Sequence, residues 1–570
     1  MNDLIGFLKK HWQKVFLIII CLIIIVTRFV PISFGDFYGD NAINSFRSYG
    51  WLDYFGTSGQ TTPLQWFGNI PGWANLSFHD APPLAFIIQW IFFAILGGGT
   101  VIARLPFVIA GILSIWLVYC LLKRLTNQKI ASIATIFYTV SSYAIWAGQA
   151  SYLEGIEELF IIGSVLYGAI YLFKDQNKKN IYIWTIFLTC ALLTKYTAVF
   201  LIPPILFYVF LCRSEFKKQW KHVVLAGILF ILLISPLIIY NVNLYQSRGH
   251  FDASLSSMVG IHSQDFYIID ERTAHYNVFS NTVTTFEILS ENMSYSFLVL
   301  FIGCFILLIL RIWKTSLKSP ESWVLINLIF LLLVLGLAGA AVRFLSLIVP
   351  FMVIVIGLGT YYFYEKIRNQ KLRIVYIIGI SAIILLELIY SVNTNVLKKP
   401  ISVSGWLYSE NKIQSLGFNQ IDSFIRSTVI TKLPKFNVVK TKEDLIFNSD
   451  DVKGRSAIIF DDRINWFAQM WYFQRYFIYY RWPVISTGFL SALNVNKITI
   501  KDLMEVSGKQ LYFVYPINDM VIDPMRAKDK NVNFLGPDLA KQFDALGATS
   551  TIIKNRNGVP VFKIYIVSKI

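Results

Sequence analysis

Long apolar runs are the feature that most limits what this 570-residue chain can fold into. One of them, FLIIICLIIIVTRFVPI at residues 16–32, is long enough to cross a bilayer as a helix. Hydrophobic residues make up 55% of the chain and charged residues only 15%, whereas a soluble domain has about 25% charged residues. A water-soluble core cannot hide this much apolar surface, so the sequence predicts a polytopic α-helical membrane protein.

Short basic patches separate the apolar runs and set the predicted topology. The net charge of +17 is explained by these patches under the positive-inside rule, without a nucleic-acid partner. The patches lie at residues 9–14, 123–129, 174–179, 213–221, 311–318 and 366–373. If all of them face the cytoplasm, the chain crosses eleven times, near residues 15–32, 101–122, 130–149, 154–173, 181–194, 197–212, 222–241, 296–312, 322–340, 344–363 and 374–392. The N-terminus is then cytoplasmic and the C-terminus extracytoplasmic.

Two apolar segments do not predict a single crossing each. Residues 82–99, PPLAFIIQWIFFAILGGG, are too short to span and predict an interfacial or re-entrant helix on the outer side. Residues 181–210 carry basic patches on both flanks and predict a hairpin of two short helices, with Lys195 at its outer turn.

Three extracytoplasmic parts follow from this topology: the loops 33–83 and 242–295 and the tail 393–570. The tail is more polar and contains short β-type runs at residues 456–460, 510–515 and 561–567, with an Asn-Gly turn signal at 557–558. We expect two domains, a membrane domain at 1–392 and a small soluble α/β domain at 393–570. The five cysteines all lie in or beside apolar segments, so the tail has no disulfide.

Charged side chains collect at the predicted outer ends of the helices. They are Asp36, Asp40, His79, Asp80, Glu154, Lys195 and Arg343. Each of these charges also has a purely structural explanation. The acids could be helix caps or solvated loop charges, and the cations could be interfacial anchors. Ionisable groups at a membrane boundary are nevertheless costly and often functional. Together they suit transfer from a lipid-linked phosphate, in which cations neutralise the leaving phosphate and a carboxylate deprotonates an attacking hydroxyl.

The order of several segments resembles the GT-C glycosyltransferases, in the branch of protein O-mannosyltransferases and lipid A aminoarabinose transferases. The matching segments are GDNAINSFRSYGW (39–51), HDAPPL (79–84), ARLPFVIAGILSIWLVYCLLKRL (103–125), ALLTKYTAVFLIPPIL (191–206) and VRFLSLIVPFMVIVIGLG (342–359). The resemblance covers roughly the first 360 residues, and the tail matches the family's variable outer domains only in position.

The resemblance implies roles for residues of the first outer loop. Family members carry an Asp-Glu pair there, and its Asp is the expected catalytic base. Here the pair is Asp40-Asn41, so the base role passes to Asp40, while Asn41 departs from the family pattern. Asp36 or Glu154 could supply a second acidic role.

The resemblance also implies a binding site for the lipid phosphate. Lys195 and Arg343 fit the family's phosphate-binding positions, and His79, Asp80, Asn41 and Arg104 are further candidates for binding the phosphate or the sugar. In the aminoarabinose branch a lysine faces the phosphate where this chain has Ala81, which moves the task onto Lys195 and Arg343.

The implied reaction moves a sugar from a polyprenyl-phosphate donor to an acceptor hydroxyl outside the cell membrane, with inversion. The acceptor would be a protein, a lipid or a cell-wall glycan. No cofactor is required and no metal site is predicted, although His79, Asp80 and Asp40 could hold a divalent cation. We expect loop 242–295, with Gly249 and several serines, to be a mobile cover over the site.

Two other functions fit parts of the pattern. A transporter or flippase of lipid-linked sugars would also have many helices, but its charges would lie near the midplane and internal repeats would be common. An inactive family member acting as a binding subunit would account for Asn41 in place of the family's Glu.

Overall fold

The structure is a computed structural model that describes residues 2–57, 59–266, 278–339, 341–397, 403–409, 415–446, 454–492, 510–524 and 534–568. By their contacts the residues form two compact units. The first unit comprises Met1–Ser33, Leu76–Ile88 and Val101–Ile413, and the second comprises Phe34–Asn75, Gln89–Thr100 and Gln414–Ile570. Residues 34–75, from loop 33–83, thus group with residues 414–570 of the tail. The domain boundary expected between residues 392 and 393 stays a prediction.

Helices dominate the first unit, as the apolar runs predict. Within the described residues, eight helices are long and apolar enough to cross a membrane: Gln13–Ser33, Thr100–Leu125, Glu154–Phe173, Trp220–Arg248, Tyr295–Lys314, Pro320–Leu337, Val342–Lys366 and Gln370–Leu397. Each coincides with a predicted crossing. The chain is therefore a multi-pass membrane protein, and the polytopic fold class is confirmed.

The other three predicted crossings are bent or short. Gln128–Val140 and Ser142–Gln149 form a pair bent by 60° at Ser141, which raises the number of candidate spans to nine. Lys178–Thr194 and Tyr196–Leu211 are short helical pieces separated at Lys195. The expected break at Lys195 is thus present, whereas the number of crossings, predicted as eleven, depends on these three segments. Leu84–Leu96, with 13 residues, is as short as predicted.

Close packing joins the helices Glu154–Phe173 and Lys178–Thr194. Gly163 and Gly168 on the first helix face aromatic rings of the second: a Cβ added at Gly163 would lie 2.0 Å from the Phe187 ring, and one at Gly168 would lie 2.9 Å from Trp184. Only glycine permits this approach. The packing fixes the start of the first helix, at Glu154, near the end of the second, at Lys195.

A buried carboxylate joins the beginnings of two further helices. Glu387 is fully buried, and its Oε1 accepts a hydrogen bond of 2.8 Å from the Ser142 backbone N–H. Its Oε2 accepts one of 2.9 Å from the N–H of Ser294, the N-cap of Tyr295–Lys314. Helix N-termini carry partial positive charge and unpaired N–H groups, so one carboxylate stabilises both.

We expect Glu387→Gln to lower the free energy of unfolding by about 1–3 kcal/mol. An amide keeps one acceptor oxygen but turns its NH₂ group toward the second N–H donor. The measurement is thermal unfolding of the purified protein in detergent, with Glu365→Gln at an exposed acid as the control. Equal midpoints for the two variants would contradict this role.

The second unit contains a five-stranded mixed sheet, which confirms the small α/β region predicted for the tail. Its strands are β1 (Ala457–Phe460), β2 (Val484–Ser486), β3 (Gln510–Pro516), β4 (Thr549–Lys554) and β5 (Pro560–Ser568). They are ordered β2-β1-β3-β5-β4, and β1 pairs in parallel with β2 and β3. β5 pairs antiparallel with β3 and β4, and the predicted Asn-Gly turn joins β4 to β5, with Gly558 at φ +81°. The helix Leu535–Ala545 packs on the sheet through Phe543.

The helix Asp40–Gly50 also belongs to this unit and packs on the helical segment at residues 466–480. Phe37 and Phe46, on either side of Asp40, are fully buried. The Phe46 ring lies 4.9 Å from that of Tyr479, whose hydroxyl donates to the Phe46 carbonyl at 2.8 Å. The Phe37 N–H donates to the Tyr472 hydroxyl at 3.0 Å. These contacts fix the backbone that carries Asp40.

Candidate functional site

Two cations and one acid meet around an aromatic ring in the first unit. Lys195 Nζ donates to Glu154 Oε1, and Arg343 Nε lies 3.7 Å from the same oxygen. Lys195 Nζ lies 4.1 Å from the centroid of the Phe344 ring, and the guanidinium carbon of Arg343 lies 4.9 Å from it. The structure therefore brings together three residues that the sequence singled out. We call Glu154, Lys195, Arg343 and Phe344 the cation cluster.

Breaks in the helices place the two cations. Lys195 has an extended backbone (φ −162°, ψ 146°) between Lys178–Thr194 and the turn Tyr196–Leu201. Arg343 lies in the first turn of Val342–Leu345, after Gly339 ends the preceding helix. The Tyr143 hydroxyl donates to the Val342 carbonyl and holds that turn. A side chain at such a break can point away from the lipid face of a continuous helix.

Burial differs sharply within the cation cluster. The Glu154 side chain is 2% exposed, whereas Lys195 is 19% and Arg343 is 30% exposed. A buried carboxylate is tolerated only when it is paired. Lys195 pairs with Glu154 and Arg343 lies close to it, and both cations keep part of their own surface accessible, which is what an anion-binding site requires.

Asp252 and Tyr196 extend this site and were missed in the sequence. Tyr196, which follows Lys195 directly, donates to Asp252 Oδ2 at 2.5 Å, and the Asp252 N–H donates to Asn241 Oδ1 at 2.8 Å. Asp252 is buried and caps the helix Ala253–Val259. Its burial raises the pKa of the carboxyl above its usual range. The network ties loop 242–295 to the backbone that carries Lys195.

The segment at residues 77–84 contacts the same loop mainly through its backbone. The His79 carbonyl accepts from the Ala253 N–H at 2.7 Å, and the Asp80 carbonyl accepts from the Ser254 hydroxyl at 2.8 Å. The His79 side chain is fully buried, with Nδ1 4.0 Å from Asp80 Oδ1. The roles of His79 and Asp80 in binding, and the divalent cation considered with them, stay predictions.

Asp265, in loop 242–295, pairs with a histidine and an arginine of the same loop. Asp265 Oδ2 lies 2.8 Å from His250 Nε2, and Arg248 forms a forked ion pair with Asp265 at 2.8–3.0 Å. These contacts close the described part of the loop between Arg248 and Phe266. Residues 267–277 of the expected cover lie outside the described residues, and mobility of the loop stays a prediction.

Arg104 makes a contact with the end of the first membrane helix. It is 4% exposed, and its Nη1 donates to the Ile32 carbonyl at 2.8 Å. This bond joins the helix Thr100–Leu125 to the turn Val30–Ser33. The contact favours a structural role for Arg104, and its role in binding stays a prediction.

Asp36, in the second unit, is tied to the beginning of a helix of the tail. Asp36 Oδ2 accepts from the N–H groups of Leu416 and Gly417 at 2.6 and 3.0 Å, and Oδ1 accepts from the Asn419 N–H at 2.7 Å. The acid is 5% exposed. A carboxylate occupied by N–H groups at and just before the start of the helix Phe418–Phe424 acts as a cap, so the structure favours this role over an accessory catalytic one.

We expect Asp36→Asn to lower the free energy of unfolding by about 1–3 kcal/mol, because the amide NH₂ would oppose an N–H donor. The rate per folded molecule should stay within about twofold of native. Both are measured on the purified protein, with Asp519→Asn at an exposed acid as the control. Loss of rate with an unchanged unfolding midpoint would instead make Asp36 catalytic.

Asp40 begins its helix, and the Asn41 side chain hydrogen-bonds to the residue that precedes the helix. Asp40 is the acid in the first turn of Asp40–Gly50 and is half-buried. Asn41 is 3% exposed, and its Oδ1 accepts from the Gly39 N–H at 3.1 Å. The residue that departs from the family pattern thus has a local structural role. Asp40 belongs to the second unit and the cation cluster to the first, and their convergence stays a prediction.

Comparison with known proteins agrees with the resemblance seen in the sequence. Residues 80–240 match the family model described as dolichyl-phosphate-mannose-protein mannosyltransferase. No curated protein matches the chain in a comparison of sequences.

Solved structures agree in fold at low sequence identity. ArnT from Cupriavidus metallidurans bound to undecaprenyl phosphate is 12% identical, with 97% of this chain and 98% of that chain covered and a TM-score of 0.53. Its apo state gives 11% identity, 98% coverage of both chains and a TM-score of 0.52. The archaeal oligosaccharyltransferase AglB from Archaeoglobus fulgidus gives 12% identity, 89% and 70% coverage and a TM-score of 0.49. Residues 80–240 thus resemble the dolichyl-phosphate-mannose-protein mannosyltransferase family, in agreement with the sequence, and the likeness to ArnT shows a shared fold.

Proposed function

We propose that the protein transfers a sugar from a polyprenyl-phosphate donor to an acceptor hydroxyl on the extracytoplasmic side of the membrane, with inversion. In this proposal the N-terminus is cytoplasmic, and the cation cluster lies at the outer ends of its helices. The acceptor is a protein, a lipid or a cell-wall glycan. No cofactor takes part in the proposed reaction.

The observation that carries the proposal is the cation cluster. Lys195 and Arg343 are partly exposed, flank one aromatic ring and share one buried carboxylate. Lys195 lies within the region that matches the family model, at residues 80–240. Two fixed cations suit a phosphate whose charge grows while its bond to the sugar breaks, because they stabilise the transition state more than the ground state.

The proposed steps follow from the chemistry of these groups. Asp40 takes the proton of the acceptor hydroxyl, and the acceptor oxygen attacks the anomeric carbon from the face opposite the phosphate. The bond between the anomeric carbon and the phosphate oxygen breaks, and its electron pair stays on that oxygen. Lys195 and Arg343 bind the phosphate, which leaves as a monoester with one more negative charge than the donor.

The test uses donors labelled in the sugar. Full-length protein in liposomes is incubated with a panel of polyprenyl-phosphate sugars and a cell-envelope fraction from cells that lack the protein. We expect label in one class of acceptor after protein, lipid and glycan are separated. NMR of the product from a donor of known anomeric configuration should give the opposite configuration, and retention would contradict the proposed displacement.

A separate outcome would favour a transporter. Movement of the lipid-linked sugar between the leaflets of the liposome, without release of label from the lipid, would replace the proposed transfer by transport. Binding of donor with neither transfer nor movement would favour an inactive binding subunit.

A further inference from the structure

We propose that Glu154 competes with the lipid phosphate for Lys195 and Arg343, and that this competition promotes release of the product polyprenyl phosphate. This inference rests on the proposed function, because it concerns the phosphate site of that reaction. It gives Glu154 a role different from the acidic catalytic role that the sequence suggested. Glu154 acts on the reaction through the two cations.

Glu154 lies where a competitor of the phosphate for the two cations must lie. A single oxygen, Oε1, contacts Lys195 Nζ and lies 3.7 Å from Arg343 Nε, so it faces the donor atoms that an incoming phosphate oxygen would need. The acid is 2% exposed and begins the helix Glu154–Phe173, whose packing on Lys178–Thr194 fixes its position. It therefore stays beside the cations when a phosphate arrives.

The charges of donor and product differ, so Glu154 affects the binding of the two ligands differently. The donor is a phosphodiester with one negative charge, and the product is a phosphomonoester that carries up to two above the second phosphate pKa, near 6. Lys195, Arg343 and an ionised Glu154 sum to one positive charge, which matches the donor. Coulomb repulsion scales with the product of the charges, so Glu154 opposes the dianionic product about twice as strongly as the donor.

The competition has a direct kinetic consequence. Two cations without a counter-charge would bind the dianion more tightly than the donor, and product release would then limit turnover. The Glu154 carboxylate lowers the affinity for the dianionic product, which must leave, more than it lowers the affinity for the monoanionic donor, which must bind. Its replacement should therefore strengthen product inhibition more than it lowers KM.

The test measures binding of two lipid phosphates to full-length protein in detergent at pH 8. It requires no knowledge of the sugar or of the acceptor. The probes are farnesyl phosphate, a dianionic monoester, and methyl farnesyl phosphate, a monoanionic diester. For Glu154→Gln we expect about tenfold tighter binding of the monoester and about threefold tighter binding of the diester. Glu158→Gln is the matched control, since Glu158 is a buried acid one turn along the same helix whose carboxylate accepts from the Tyr138 hydroxyl.

Each outcome decides between specific possibilities. A rise in the ratio of monoester to diester affinity in Glu154→Gln alone supports the competition. An unchanged ratio, weaker binding of both probes, or the same rise in Glu158→Gln would overturn it. Lys195→Met separates the two proposals: if native protein binds both probes and this variant does not, the phosphate site stands even when the ratio does not move. If native protein binds neither probe, the phosphate site fails together with this inference.

Discussion

Asp40→Asn should lower kcat by about 10²- to 10⁴-fold, the range that a positioned general base contributes. Asparagine has the same shape but cannot accept the proton of the acceptor hydroxyl. Donor affinity should stay within about twofold of native, because the proposed function assigns phosphate binding to Lys195 and Arg343. The measurement is release of polyprenyl phosphate at saturating donor, together with binding of the diester methyl farnesyl phosphate.

Two features make this substitution interpretable. The helix that carries Asp40 is held by Phe37 and Phe46, both fully buried, so the loss of one acid in its first turn should cost only about 0.3–1 kcal/mol. Asp538→Asn is the control, because that acid is half exposed on the tail and pairs with the exposed Lys541. A comparable loss of kcat in both variants would point to a general loss of folding instead of a lost base.

Lys195→Met should lower kcat/KM by at least about 100-fold, since one fixed donor to a developing negative charge is worth about 10²–10³ in rate. The substitution also removes the closest partner of a buried carboxylate. We therefore expect a loss of stability of about 1–3 kcal/mol in addition to the loss of rate. Steady-state kinetics and thermal unfolding measure the two effects separately.

The double variant Lys195→Met with Glu154→Gln separates stability from catalysis. Neutralising Glu154 removes the buried charge that the single variant leaves poorly paired, so the unfolding midpoint should return toward the native value. The rate should not return, because the donor to the phosphate is still missing. Recovery of both quantities would mean that Lys195 acts only in the fold.

The helices could be predicted because the membrane imposes a strong pattern on the sequence. Apolar length and flanking cations located Glu154–Phe173 at the expected residues, and an isolated lysine between two apolar runs located the break at Lys195. The bend at Ser141 was missed, because YTVSSYA contains neither proline nor glycine, and Glu387, which accepts from the Ser142 N–H beside the bend, lies 245 positions away. β2 and β4 were missed since β2 has three residues and β4 is mostly exposed, which leaves no alternating pattern.

Of the site, the sequence could predict only the charged residues that lie in apolar surroundings. Lys195, Arg343 and Glu154 were found in this way, but the link from Tyr196 to Asp252 joins residues 56 positions apart, and Asp252 looks like an ordinary helix cap in a polar loop. A tyrosine directly after a candidate phosphate-binding lysine was the one available signal. The cap formed by Asp36 joins it to residues about 380 positions away, which no local pattern reveals.

The central claim is that this chain breaks the bond between a sugar and a polyprenyl phosphate, using Asp40 as the base. Its most direct test is the rate at which purified protein in liposomes releases polyprenyl phosphate from a panel of donors, with the envelope acceptor present. Native protein should release it from at least one donor, and Asp40→Asn should release it at less than about one hundredth of that rate. Equal release by both proteins, or no release from any donor by the native protein, would contradict the claim.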